Sequence, residues 1–319
     1  MNNHNVENIT NVAVIGAGIM GEGIAQGFAQ AGINVSIFDI KQEALSKCKL
    51  NIANNIDTFI EYGLVNETKE SITARIEYRV SSDLSHDLAH MNYVIEVLPE
   101  ILPLKQEFFK QIDDLPEHII FATNTSSMTV SMIAKNLKHT HRIIGVHYFN
   151  PAHIIPAVEI HTGSETSAET IALTQALMTK VGKKPVLVRK EIPGFIINRL
   201  TGAMEREIDY LLEQGVVSPE DLDTAVKASY GFRLACLGPM EAEDMIGLDT
   251  AARASANIFP TLSNAQLPSK QLIKKVDKGE LGIKSGTGWY HYPDAQKVQK
   301  IANNNQRMLR QLKLFQQQD

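Results

Sequence analysis

At 319 residues and 35.3 kDa the chain is long for a single domain, because cores tend to stop growing near about 250–300 residues, so one large and one smaller domain are expected. Hydrophobic residues at 44% and charged residues at 21% exclude global disorder and a fibrous repeat. With 31 Lys+Arg against 36 Asp+Glu and a net charge of −5, there is no broad basic surface for nucleic acid.

Only Cys48 and Cys236 are present, too few for a disulfide framework or a thiolate metal site, so a reducing, cytoplasmic setting without metal is expected. The opening MNNHNVENIT lacks a charged-then-apolar signal layout. No apolar run approaches the roughly 18 residues of a membrane span.

From residue 11 to about 150, short Val/Ile-rich runs alternate with longer amphipathic stretches, the pattern of parallel strands joined by helices. Strands are predicted at 12–15, 35–39, 77–81, 93–97, 119–123, 143–148 and 185–188. The first runs into Gly16, Ala17, Gly18, Ile19, Met20 and Gly21, a G-x-G-x-x-G turn that opens a helix. Asp39 ends the next strand 18 positions after Gly21. Each part has a mechanical role. Gly16 makes the tight turn, Gly18 lets the backbone approach a pyrophosphate, Gly21 permits close helix–strand packing, and the amides of the helix start meet the anion. The carboxylate of Asp39 accepts from an adenosine ribose and repels a 2′-phosphate, so the expected cofactor is NAD rather than NADP. The architecture is α/β, a Rossmann-type doubly wound parallel sheet. Between residues 41 and 75 the spacing of Ala44, Leu50, Ile52, Ile56, Phe59, Ile60 and Leu64 predicts a helical hairpin that leaves the sheet and could close over a ligand.

Asn124, Thr125, Ser126 and Ser127 follow the fifth strand, where the open ends of a parallel sheet face the ligand crevice. By itself the run serves equally as a helix cap. The sixth strand ends in His147, followed by Tyr148, Phe149 and Asn150, and Glu159 comes 12 residues after the histidine. A carboxylate beside an imidazole would fix its tautomer and raise its basicity, as a general base for alcohol oxidation requires; the alternative is a purely structural histidine. Glu191-Ile192-Pro193-Gly194 then interrupts the periodicity, and the text beyond reads as helix to Gly282. The expected domains are 1–190 and an all-helical 191–319. In 295–319, Val298, Ile301, Met308, Leu312 and Phe315, with Asn305 in the remaining seam position, form a coiled-coil-like stripe that either packs on its own domain or meets a second subunit.

Taken together, GAGIMG, the NTSS run, VHYFNP with its glutamate, Pro193-Gly194-Phe195-Ile196-Ile197-Asn198-Arg199 and Gly282-Ile283-Lys284-Ser285-Gly286-Thr287-Gly288 resemble the 3-hydroxyacyl-CoA dehydrogenase family over about residues 11–292. The resemblance implies His147 as general base, Glu159 as its orienting partner, and Ser126 and Asn198 as groups that hold the substrate, with Asn150 beside them. It also implies Glu100 and Lys105 near the nicotinamide, with Asn124 on the cofactor side, and a helical second domain that forms a homodimer. Reversible NAD-dependent oxidation of a short-chain 3-hydroxyacyl-CoA is then the first expectation.

Two departures favour a second reading. Residues 50–66 hold no Lys or Arg, where acyl-CoA members commonly place lysines for the coenzyme's phosphates. Residues 231–235 read GFRLA, and Arg233 suits a free carboxylate as well as a surface ion pair. Free hydroxy acids or small carboxylates, as in gulonate, carnitine and pyridine-carboxylate dehydrogenases, are almost level as substrates. A non-catalytic NAD-binding structural protein is the alternative of another class.

Overall fold

The computed structural model describes residues 5–81 and 83–317. Eight strands, β1 Asn11–Ile15, β2 Asn34–Phe38, β3 Ile76–Arg79, β4 Tyr93–Glu96, β5 Ile120–Thr123, β6 Ile143–Tyr148, β7 Ala157–Thr162 and β8 Lys184–Val188, form one sheet in the order β3-β2-β1-β4-β5-β6-β7-β8. Among the described residues every pairing is parallel except β6 with β7. Strands β4, β5 and β6 are buried along their whole length. This is why they read as continuous apolar runs rather than alternating ones.

Six of the seven connections between strands carry α-helices: α1 Ile19–Gln30, α2 Gln42–Glu61, α3 Lys69–Thr73, α4 Leu84–Leu88, α5 Leu102–Ile112, α6 Val130–Ile133 and, between β7 and β8, α7 Ala168–Lys180. Helix α2 corrects one expectation. It buries Leu45, Cys48, Ile52, Ile56 and Phe59, and the first four join α1 and the sheet in the main core. The α2–α3 pair therefore packs on the sheet side of the molecule rather than extending away from it. The true stripe includes Leu45 and Cys48, whereas Leu50, counted as apolar spacing, is exposed.

Strand β7 was not predicted as a strand. In Ala157-Val158-Glu159-Ile160-His161-Thr162 the alternation puts a carboxylate and an imidazole at inward positions, where a sequence reading expects apolar groups. Both are nonetheless fully buried.

The chain forms two units. The first runs to Asn198 and regains Met308–Gln317; the second is Arg199–Arg307. The division thus falls after Asn198, where the sequence reading placed it near Lys190. The second unit carries α8 Ile197–Glu213, α9 Pro219–Ala228, α10 Tyr230–Leu234, α11 Pro239–Ile246, α12 Leu248–Ile258, α13 Lys270–Asp277 and most of α14 Asp294–Gln316. None of α8 to α13 buries a residue.

The last turns of α14 belong to the first unit. Leu309 and Leu312 pack with Phe59 and Ile154, and Lys313 Nζ donates to the Tyr62 carbonyl at the end of α2 at 3.0 Å, a favourable place for a cation. Val298, at 79% exposure, takes no part in that cluster, so only the C-terminal end of the predicted stripe is buried, with Leu309 added to it. Leu312→Ala should therefore destabilise the first unit by about 2 kcal/mol, read as a lower urea midpoint, whereas Val298→Ala should leave the midpoint unchanged.

Candidate active site

At the start of α1 the glycines perform distinct tasks. Gly16 has φ +114°, in the region that favours glycine. A Cβ on Gly21 would lie 1.9 Å from the Gly16 carbonyl oxygen, so helix and turn can meet only through a glycine. A Cβ on Gly18 would meet nothing within 4 Å. Gly18 instead borders a cavity of about 760 Å³ lined by Gly16, Asp39, Ile40, Leu98 and Pro99 among others. The amides of Ile19, Met20 and Gly21 are the first of α1 and have no partner a turn back along the helix. This cradle fits a dinucleotide pyrophosphate.

Asp39 closes the turn from the other side. Its Oδ2 accepts from the Ala17 amide at 2.9 Å and its Oδ1 from the Lys41 amide at 2.9 Å. Each carboxylate oxygen keeps a further lone pair for a ribose hydroxyl.

Across the sheet, the reversal of β7 sets Gly145 opposite His161, His147 opposite Glu159 and Tyr148 opposite Val158. The 12-residue spacing of histidine and glutamate is thus a cross-strand pair. His147 Nδ1 lies 2.8 Å from Glu159 Oε2, and both side chains are buried. Glu159 Oε1 accepts from the amides of Ile196 at 2.9 Å and Ile197 at 2.8 Å. Burial acts to raise the Glu159 carboxyl, but the His147 ring and the Ile197 and Ile196 amides outweigh it and hold the group below the ordinary glutamate range. Its stabilisation is fully present above the ordinary value and is lost as pH falls through the depressed one. The ionised carboxylate can only accept, so Nδ1 carries the proton and Nε2 keeps its lone pair.

The serine run is held by a second carboxylate. Glu100 Oε1 accepts from the Ser126 amide at 2.9 Å, the Ser127 hydroxyl at 2.9 Å and the Thr125 hydroxyl. Burial alone would raise Glu100, yet Thr125, Lys105 and Ser127 together lower it. Asn198 Nδ2 donates to the Ser126 carbonyl at 3.1 Å, so these two expected substrate groups are adjacent. Asn124 Oδ1 accepts from the Tyr148 amide at 2.8 Å and ties the end of β5 to that of β6. Asn150 is exposed just beyond.

Lys105, expected near the nicotinamide, lies beneath the Ser126 turn. It is 1% exposed, and its ammonium meets Glu96 Oε1 at 2.7 Å, Glu100 Oε2 at 3.2 Å and the Leu98 carbonyl at 3.2 Å. Its ammonium thus hydrogen-bonds Glu96 and the Leu98 carbonyl and pairs with Glu100. Glu96, which the sequence reading missed, also accepts from the Thr123 hydroxyl at 2.8 Å. Burial raises its carboxyl, offset in part by Lys105. Its only sequence signal is a glutamate ending an otherwise apolar strand. Arg233 lies in the second unit, in the last turn of α10, and is exposed. Among the described residues no helix is long and apolar enough to cross a membrane, and no cluster of His, Cys, Asp and Glu could hold a metal ion.

Residues 11–192 match the family model for the 3-hydroxyacyl-CoA dehydrogenase NAD binding domain, and residues 194–292 match that for the C-terminal domain. The chain is 33% identical over 291 residues to 5-formyl-3-hydroxy-2-methylpyridine 4-carboxylate 5-dehydrogenase of Mesorhizobium japonicum, covering 90% of this chain and 92% of that one. A crystal structure of an enzyme of that name, described as an NAD+ dependent dismutase, is similar with a TM-score of 0.90 and 30% identity over 97% of this chain and 99% of that one. The (S)-3-hydroxybutyryl-CoA dehydrogenase of Ralstonia eutropha is similar with a TM-score of 0.71 and 36% identity over 90% of this chain and 100% of that one.

The glycine geometry separates binding from folding. Gly18→Ala should leave the melting temperature nearly unchanged while weakening NADH binding by about tenfold or more, measured by fluorescence titration. Gly21→Ala should lower the melting temperature, because the new Cβ has nowhere to go.

Proposed function

From the premise that the chain belongs to the 3-hydroxyacyl-CoA dehydrogenase family and is an NAD-dependent dehydrogenase acting on a CH–OH group, we propose that its substrate is a small free carboxylate bearing a hydroxyl or a hydrated formyl group. The observation that carries this reading is the backbone likeness to the pyridine-carboxylate enzyme over nearly the whole of both chains, well above the likeness to the hydroxybutyryl-CoA enzyme. On this reading a free carboxylate moves ahead of the acyl-CoA that the sequence reading narrowly preferred. The stretch 50–66, which spans the end of α2, supports it through its lack of Lys and Arg for coenzyme A phosphates.

His147 Nε2 takes the proton from the substrate hydroxyl. Glu159 holds the ring in the productive tautomer and offsets the charge the imidazolium acquires. NAD, when bound against the α1 amides and Asp39, supplies the hydride acceptor. Ser126 and Asn198 present uncharged hydrogen-bonding groups to the oxygen as it becomes a carbonyl. Glu100, gripped by Lys105, keeps the Ser126 turn in place. A hydrated formyl carbon is also an H–C–OH centre, so the same base would yield a carboxylic acid from it. Arg233 is the candidate to pair with the substrate's carboxylate.

A short-chain 3-hydroxyacyl-CoA remains the second reading, favoured by the full-length match to the hydroxybutyryl-CoA enzyme. A homodimer built on the second unit fits the apolar surface that unit leaves uncovered, with Leu200, Phe232, Met245, Leu248 and Phe259 all exposed. Two unpaired cysteines fit a reducing cytoplasm.

NADH formation with a panel of free hydroxy and formyl carboxylates and of 3-hydroxyacyl-CoA esters tests the substrate class; turnover confined to the esters would overturn it. On a free acid, Arg233→Met should weaken apparent affinity by about one to two orders of magnitude. On a CoA ester it should be silent. His147→Ala should lower kcat by roughly 10²–10⁴-fold with NADH affinity unchanged, and an active variant would refute the base assignment.

A further inference from the structure

The imidazole of His161 is fully buried on β7, two residues from Glu159 and so on the same face of the sheet. Neither of its ring nitrogens meets a hydrogen-bond partner among the described residues. An unpaired polar ring in the interior is costly and calls for a compensating role. Two contacts define where it sits. Across the strand pair it faces Gly145, where a Cβ would lie 1.9 Å from the His161 ring. On its other side it stacks on Phe195, with centroids 3.8 Å apart and planes 24° from parallel.

Phe195 is itself buried and holds φ +49°, in the region that favours glycine. A phenylalanine keeps that conformation only where its surroundings enforce it. The next two residues are Ile196 and Ile197, whose amides grip Glu159. The Phe195 ring also approaches His147, with centroids 5.6 Å apart.

We propose that His161 is a positioning residue for the reaction. Its flat ring, seated in the gap that Gly145 leaves, clamps Phe195 so that the 195–197 turn presents two amides to Glu159, and Glu159 in turn fixes His147. This rests on the reading of His147 and Glu159 as the base pair. A plane fits between a glycine and a phenyl face where a branched aliphatic side chain is too thick. Burial, and then His147, push the His161 ring down to about 3, with Glu159 and Glu100 acting the other way. The ring therefore stays neutral at working pH and adds no positive charge beside His147.

The test is a double-mutant cycle on the full chain, with the best substrate of the panel above. His161→Ala and Gly145→Ala should each lower kcat by roughly 10–100-fold, with KM and NADH affinity within about twofold. The double variant should be no worse than the single ones, because the methyl then enters space the ring has left. The Glu159 carboxyl, held down in part by the Ile197 and Ile196 amides, should titrate at higher pH in either single variant, read by carboxyl carbon NMR. Full activity in His161→Ala, or losses that add in the double variant with an unmoved Glu159 titration, would overturn the proposal. If His161→Ala does not fold, Phe195→Leu, which removes the stack and keeps apolar bulk, is read by the same criteria. An active His147→Ala enzyme would remove the base reading itself. An inactive one beside a fully active His161→Ala would overturn the positioning role alone.

Discussion

Among the described residues, a single reversal of strand direction brings the candidate base pair together. Parallel neighbours in the sheet present their residues in a slanted register and need long crossovers, whereas β6 and β7 run antiparallel and place residues directly opposite one another. Because of that reversal, a histidine and a glutamate on one sheet face come within a hydrogen bond without a loop having to order itself around them. Glu159 then uses its second oxygen on the Ile196 and Ile197 amides, at the start of α8. One carboxylate therefore joins the strand pair, the imidazole and the first turn of a helix.

The other half of the site depends on charges removed from solvent. Glu96 and Lys105 are both buried, and a buried ion pair is weak evidence for stability because the desolvation of each partner offsets their attraction. Its value here is geometric. With Glu96 and the Leu98 carbonyl taking two of its protons, Lys105 stands in ion-pair contact with Glu100 at 3.2 Å. Glu100 consequently meets the Thr125–Ser127 turn in a fixed pose. This is the supporting layer that sites need if their contacting groups are to be held within fractions of an ångström.

Features governed by local rules were legible in the sequence. The glycine turn, the acidic residue after β2 and most strand positions follow from backbone sterics and from burial on both faces, and they stand within one or two residues of the reading. The features that escaped depend on tertiary context. Strand β7 was hidden because two of its inward positions carry Glu159 and His161, whose burial is tolerable only beside His147, Gly145 and Phe195. Glu96 was hidden for a similar reason, since nothing in its neighbours announces the lysine that folds back from α5. The path of α2 was misread because Cys48, a small hydrophobe when buried, completes the stripe that binds the helix to the sheet. Among the site groups, Ser126, Asn198, His147 and Glu159 were identified jointly through motifs, and the fold brings Ser126 to Asn198 and His147 to Glu159.

The return of residues 308–317 to the first unit changes the topology of the whole chain. The second unit, Arg199–Arg307, is an insertion with both ends anchored in the same body rather than an appendage on one linker. Tethering at two points restricts its excursions in a way a single hinge does not, and the entropy lost on closing such a long loop grows only slowly with its length. The clasp formed by Leu309 and Leu312 on Phe59 and Ile154 is thus the second seam that makes one continuous chain read as a body with a loop of 109 residues, Arg199–Arg307, set into it.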